Sequence, residues 1–181
     1  MRIADLALVF VLFAPAAHAA CPVGRDISQN SAELLLELRE TTSEYSARLI
    51  NAALWNLWLS APDQAAQDLL NSGMSKIRSA DYSGADADFD ALIAYCPDYA
   101  EGYNQRAFSA YLQADYERAL EDIDAALERT PTHLGALSGK ALTLFGLGRI
   151  DAGQDVLREA LALNPWLPER RFLIEKPGEQ L

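Results

Sequence analysis

The 181 residues carry 15 Lys and Arg against 26 Asp and Glu, a formal net charge of −11, and half of them are apolar, with 10 Gly and 8 Pro. That balance belongs to a folded globular chain and excludes a collagen-like or disordered one. So acidic a chain lacks the basic surface that phosphate backbones or anionic lipid attract, and no nucleic-acid partner is expected. Two cysteines exclude a disulfide-dense scaffold and a Cys-only zinc site.

Residues 1–19 read as a secretory signal. Arg2 supplies the positive start, residues 6–14 the apolar run, Pro15 its break, and Ala17-His18-Ala19 a small-x-small cleavage site. The run is shorter than the about 20 apolar residues a membrane-spanning helix needs, and charges interrupt every later apolar stretch, so no transmembrane segment is expected. The style of the signal suits export to a bacterial periplasm. Export leaves two fates for Cys21, beside the cleavage site. Lipidation would ask for an apolar residue three places earlier, where His18 stands. An oxidising compartment instead favours a disulfide with Cys96, closing a loop of about 75 residues and stabilising by roughly 4 kcal/mol.

Residues 20–30, with Pro22, Gly24 and Ser28, read as a mobile arm. Residues 31–63 follow as an N-terminal helical hairpin that caps what comes next. Its Trp55 and Trp58 read as packing anchors. Trp55 precedes Phe89 by the same interval that organises the rest of the chain, so a decayed repeat is the other reading of this segment.

That interval is a sequence period. Pro97, Pro131 and Pro165 recur at a spacing of about 34 residues. On the same register Ala85, Ala119 and Gly153 recur, as do Phe89, Ile123 and Leu157, then Leu92, Ala126 and Ala160. Ala85, Phe89, Leu92 and Ile93 form one stripe of a 3.6-residue helix. The small residues let two helix backbones approach, the large ones fill the space beside them, and each proline ends a helix. One such unit cannot bury its apolar face alone; three stacked units can. Helices are predicted over 66–80, 100–114 and 134–147, each followed by a partner over 83–95, 117–129 and 151–163.

Leu69, Tyr103 and Leu137 occupy a bulky opening place in these units, and Gly73, Ala107 and Ala141 a small one. With the later Ala, aromatic and Pro positions, the pattern resembles that of the tetratricopeptide-repeat family. It departs in lacking the opening Trp and in placing Lys76 where the first unit would show Tyr. The resemblance implies an all-α chain: a right-handed α-α superhelix of three hairpins, approximately 66–99, 100–133 and 134–167. The last segment, 166–181, is expected to form a capping helix and tail, Pro168 suiting a first helical turn while Trp166, Leu167, Phe172 and Leu173 cover the preceding hairpin.

Candidate chemistry is sparse. After residue 19 His133 is the one histidine, and it reads as a surface or capping residue rather than a metal ligand. The run Asp86-Ala-Asp88-Phe-Asp90 has Ala91 and Pro97 where a calcium loop wants Gly and Glu. No phosphate-cradling glycine loop or nucleophile elbow is present, so neither cofactor, metal nor enzymatic activity is expected. What remains is surface. The resemblance implies that the first helix of each unit lines a concave groove, which selects Met74, Arg78, Asn104, Phe108, Tyr111, Leu142 and Phe145 as binding residues, with Leu70, Ile77 and Ser138 beside them. Of the Lys, Asn and Arg set with which the family grips carboxylate-ended chaperone peptides, only Arg78 and Asn104 have counterparts. Residues 63–129 hold 14 acidic and 5 basic side chains, which favours a basic or amphipathic protein or peptide partner. The sequence therefore predicts an exported, non-enzymatic scaffold or adaptor of the cell envelope. The alternative is a lipid-anchored subunit of an envelope assembly complex.

Overall fold

The computed structural model describes residues 20–174, so the expected signal over 1–19 and the end of the tail, 175–181, lie outside the described residues. Three antiparallel hairpins pair α3 (Gln64–Arg78) with α4 (Tyr82–Tyr95), α5 (Ala100–Leu112) with α6 (Tyr116–Arg129), and α7 (Leu134–Gly146) with α8 (Ile150–Leu163). They stack in order, α4 against α5 and α6 against α7. The close approaches are made where small residues were expected. A Cβ on Gly73 would collide with the Phe89 ring, and one on Gly153 with the Phe145 ring. Phe89, Leu92, Leu157 and Ala160 are accordingly fully buried. Among the described residues no helix is long and apolar enough to cross a membrane.

The period is also written in the backbone. Ala80 (φ 59°), Ala114 (φ 58°) and Gly148 (φ 71°) follow α3, α5 and α7, once per period, in the left-handed conformation. Beyond each, an amide reaches back to close the helix: Asp81 to the Lys76 carbonyl, Asp115 to that of Ala110 and Arg149 to that of Leu144, each at 2.9–3.0 Å. These are the carbonyls a helix end would otherwise leave unbonded. Asp81 then caps α4 by accepting the Gly84 amide at 3.0 Å.

Charges hold the units in register. Asp90 of α4 pairs with Arg106 of α5 at 2.6 Å, and one period later Asp124 of α6 pairs with Lys140 of α7 at 2.6 Å. Arg106 also forks onto Asp122, its Nε donating at 2.9 Å. The acidic run of α4 is thereby spent on three separate bases, since Asp86 pairs with Arg118 at 2.8 Å and Asp88 with Lys76 at 2.7 Å. Lys76, the departure from the family pattern, thus has a structural role of its own. Where a third acid would follow, Arg158 donates to the Ile174 carbonyl at 2.8 Å, across the same 16-residue interval.

The C-terminal cap differs from the expected helix. Pro168–Phe172 forms one 3₁₀ stretch and Leu173 turns extended (φ −69°, ψ 130°). Helix growth stops because the Ile174 amide is taken by Gln154 Oε1 at 2.8 Å, while Gln154 Nε2 donates to the Phe172 carbonyl at 2.8 Å.

The N-terminal segment also departs from expectation. It forms two helices, α1 (Ser28–Glu40) and α2 (Glu44–Trp58), the second opened by Ser43, whose hydroxyl accepts the Ser46 amide. They do not cap the first repeat. The outer face of α3 is left to solvent, with Gln64, Asp68, Asn71, Ser75 and Ser79 exposed. The corresponding places in α5, Gly102, Gln105 and Ser109, are buried under α4. A polar outer face needs no cover. The hairpin instead lies across the turns that join the units, and α1 reaches α8. Its core of Leu35, Leu38, Ile50, Leu54 and Trp58 merges with Leu134, Leu163 and Trp166 of the last unit. The arm is anchored too: Cys21 is disulfide-bonded to Cys96, their Cα atoms 5.1 Å apart.

Both a turn and a cap can be tested. Ala114→Gly relieves a left-handed alanine and is expected to stabilise the fold by about 0.5–1 kcal/mol in urea unfolding, against the loss that Gly usually causes in helices. Asp63 caps α3; its pKa is held below the ordinary 3.8 first by the Ala66 amide, then by the Tyr95 hydroxyl at 2.6 Å. The ionised form is therefore the one that folding favours, so its contribution is present above about 3.8 and fades as pH falls through the lower folded value. Tyr95→Phe should raise the Asp63 pKa in an NMR titration and weaken that acid dependence.

Candidate functional site: a half-filled groove

The first helices of the three units, α3, α5 and α7, face one side, and the expected binding residues divide along them. At the amino-terminal ends of α5 and α7 the groove is filled from within the chain. Trp58 of α2 stacks on His133, ring centroids 4.2 Å apart and planes at 26°, and Trp55 meets the same ring edge-on at 5.9 Å. Trp55 also lies where a Cβ on Gly135 would sit. The Tyr99 hydroxyl donates to the Trp58 carbonyl at 2.7 Å, and burial, then the nearby Glu101 charge, raises its pKa, which keeps it a donor.

Beneath the tryptophans is a closed polar cluster. His133 is 0% exposed and Glu101 1% exposed. The Ala136 amide donates to His133 Nδ1 at 3.2 Å, capping α7, which leaves the ring proton on Nε2, 2.8 Å from Glu101 Oε2. The other oxygen of Glu101 accepts from Asn104 Nδ2 at 3.1 Å and Gln105 Nε2 at 2.6 Å. His133 is therefore a capping residue, as one reading had it, but no surface one. Asn104, at 8% exposed, is a member of this cluster and not a groove contact. Glu101 went unnoticed in the sequence because an acid in a helix's first turn reads as a partner of the helix dipole. The signal that would have found it is its 32-residue spacing to His133, the interval that also joins Asp63 to Tyr95 and Pro97 to Arg129.

The other half of the groove is open and apolar. Tyr111, Leu142 and Phe145 line a cleft of about 370 Å³ with Ile150, Gln154 and Phe172. Phe108, one turn before Tyr111, is 47% exposed, and Leu112 and Ile150 are similarly open. Met74 and Arg78 stand one period before Phe108 and Leu112, on α3. Met74 packs on the core of the first unit, and Arg78 lies on the last turn of α3. Asn104 donates to Glu101, so it is not offered to a ligand beside Arg78. Among the described residues no group of three or more His, Cys, Asp or Glu could hold a metal ion.

No protein-family model matches the chain. A TPR repeat-containing protein of Rhizobium etli is 35% identical over 91 residues, half of this chain and 39% of that protein. Tetratricopeptide repeat protein 36 of Xenopus tropicalis is 28% identical over 178 residues, 96% of this chain and 79% of that one. The chain thus spans well under half the length of the first relative and about four fifths of the second. Among structures, the first TPR domain of Spaghetti (RPAP3), bound to the HSP90 peptide SRMEEVD, superposes with a TM-score of 0.58 at 18% identity, over 60% of this chain and 86% of that domain. The chain has the fold of a tetratricopeptide-repeat domain. Phe108 and Tyr111 on α5 and Leu142 and Phe145 on α7 belong to its open half.

Removing the buried histidine tests the cluster. His133→Ala deletes a helix cap and leaves the Glu101 carboxylate one donor short, so a loss of about 2–4 kcal/mol is expected in urea unfolding. Combining it with Glu101→Gln should cost less than the sum of the two single changes, because the second removes the charge that the first leaves unpaired.

Proposed function

We propose that this protein is an exported, non-enzymatic tetratricopeptide-repeat scaffold that holds a peptide or partner protein in the open half of its groove, in the cell envelope. The carrying observation is the apolar cleft of Tyr111, Leu142 and Phe145, with Phe108 and Leu112 half-exposed on the same helix as Tyr111. Aromatic and aliphatic anchors of this kind supply most of the energy when a partner's apolar side chains are buried. The peptide-bound state of a domain with the same fold supports a binding role. An acidic peptide such as the one in that complex suits this groove poorly, since its polar end is filled by Trp55 and Trp58 over Glu101. The 14 acidic against 5 basic residues over 63–129 favour a basic or amphipathic segment instead.

Export is supported by the pattern of residues 1–19 and by a disulfide of the sort reducing cytosols disfavour. A Cys21 bonded to Cys96 has no thiol left to carry a lipid, so the soluble form is favoured over an anchored one.

Crosslinking in the native compartment tests the groove. Phe108→Ala/Leu142→Ala should lose the partners recovered with the parent protein, by about tenfold or more, while its helical circular dichroism is unchanged. Leu49→Ala, an equally exposed position on α2, should keep them. Retention by the groove variant, or equal loss by the α2 variant, would reject the assignment.

A further inference from the structure

Between the arm, the end of α2 and the turns joining the units lies a cavity of about 1410 Å³. Tyr95, Pro97 and Tyr99 wall it on the repeat side, and Trp58 and His133 at its end. Its roof is the arm, residues 20–27. Positions 22–26 are all exposed, and the arm's own hydrogen bond is local, from the Ser28 amide to Asp26. No hydrogen bond joins residues 20–26 to the repeats among the described residues. Gly24 passes near Pro62, and Ile27 then enters the core of α1 and α2. At its far end the arm is held by the bond from Cys21 to Cys96, the residue that closes α4.

We propose that this disulfide is a redox latch. Intact, it closes the arm over the cavity as a strap; opened by a dithiol, it frees residues 20–26 and turns the cavity into an open face walled by Tyr95, Tyr99 and Trp58. The two sulfurs are unequal. Cys96 is 1% exposed, whereas Cys21 is partly open, so the thiolate of the attacking dithiol reaches the Cys21 sulfur and Cys96 leaves. The second thiol of the dithiol then displaces Cys21 from the mixed disulfide. Two electrons pass to the protein, the dithiol ends as its own disulfide, and its two protons end on Cys21 and Cys96. The remainder of the N-terminal hairpin stays in place, because Trp58, Leu134, Leu163 and Trp166 hold it independently of the bond. The latch therefore moves a short strap and not the fold, and it operates whether or not the groove binds the partner proposed above.

Limited trypsin digestion and hydrogen exchange of the full chain test this. After reduction by dithiothreitol, cleavage after Arg25 should quicken at least tenfold, and exchange should rise at least tenfold in the turn 96–99, where the Cys96 and Tyr99 amides are hydrogen-bonded. Amides of α5 to α8 should be unaffected. Cys21→Ser, which leaves buried Cys96 in place, should reproduce the change without any reductant. Unchanged cleavage after Arg25 would show that other contacts hold the arm and would reject the latch. A rise across all helices would reject it too, by showing a global staple. Two free thiols in the protein as isolated from its compartment, or a bond that the dithiol does not open without denaturant, would equally overturn the proposal.

Discussion

A helical hairpin of this length has an apolar stripe too wide to hide within itself, and only another hairpin laid against it can remove that stripe from water. Every other feature of the molecule is arranged around this need. The glycine at 73 lets the Phe89 ring reach between α3 and α4, as the one at 153 admits Phe145 between α7 and α8. The left-handed residues at 80, 114 and 148 return the chain sharply enough for the second helix to lie on the first. The ion pairs then set how one hairpin is rotated on the next, since a slip of one turn would separate Asp90 from Arg106 and Asp124 from Lys140 together.

Repeat arrays of this sort communicate only between neighbours, so their ends are free to flex and fray. Here α1 and α2 connect the start of the array to its last unit, through the Trp58, Leu134, Leu163 and Trp166 contacts. The cost is part of the groove. Trp55 and Trp58 occupy one end of the groove, and Glu101, His133, Asn104 and Gln105 satisfy one another beneath them. What the chain offers outward is the apolar half.

The two kinds of information in the sequence were unequally readable. The six repeat helices lie within two residues of their predicted bounds, because prolines, small residues and large apolar ones recur in phase and each constraint acts over a few residues. The route of α1 and α2 leaves no such trace: a contact between α1 and α8 joins distant segments that share no period. For the same reason the partner of Cys21 stayed open, as no local pattern says that residue 96 lies 5.1 Å away. Asn104 was assigned to the groove by its register, which placed it on the correct face of α5, while the tryptophans that cover that end came from outside the register.

The change of sign at residue 158 puts the repeat register to a different use. At two junctions an acid of one unit meets a base of the next, whereas Arg158 holds the Ile174 carbonyl and Asp155. The position that elsewhere reads the following hairpin here reads the backbone of the segment after α8. Whatever follows the third hairpin is thus docked by the same register that docks the hairpins on one another.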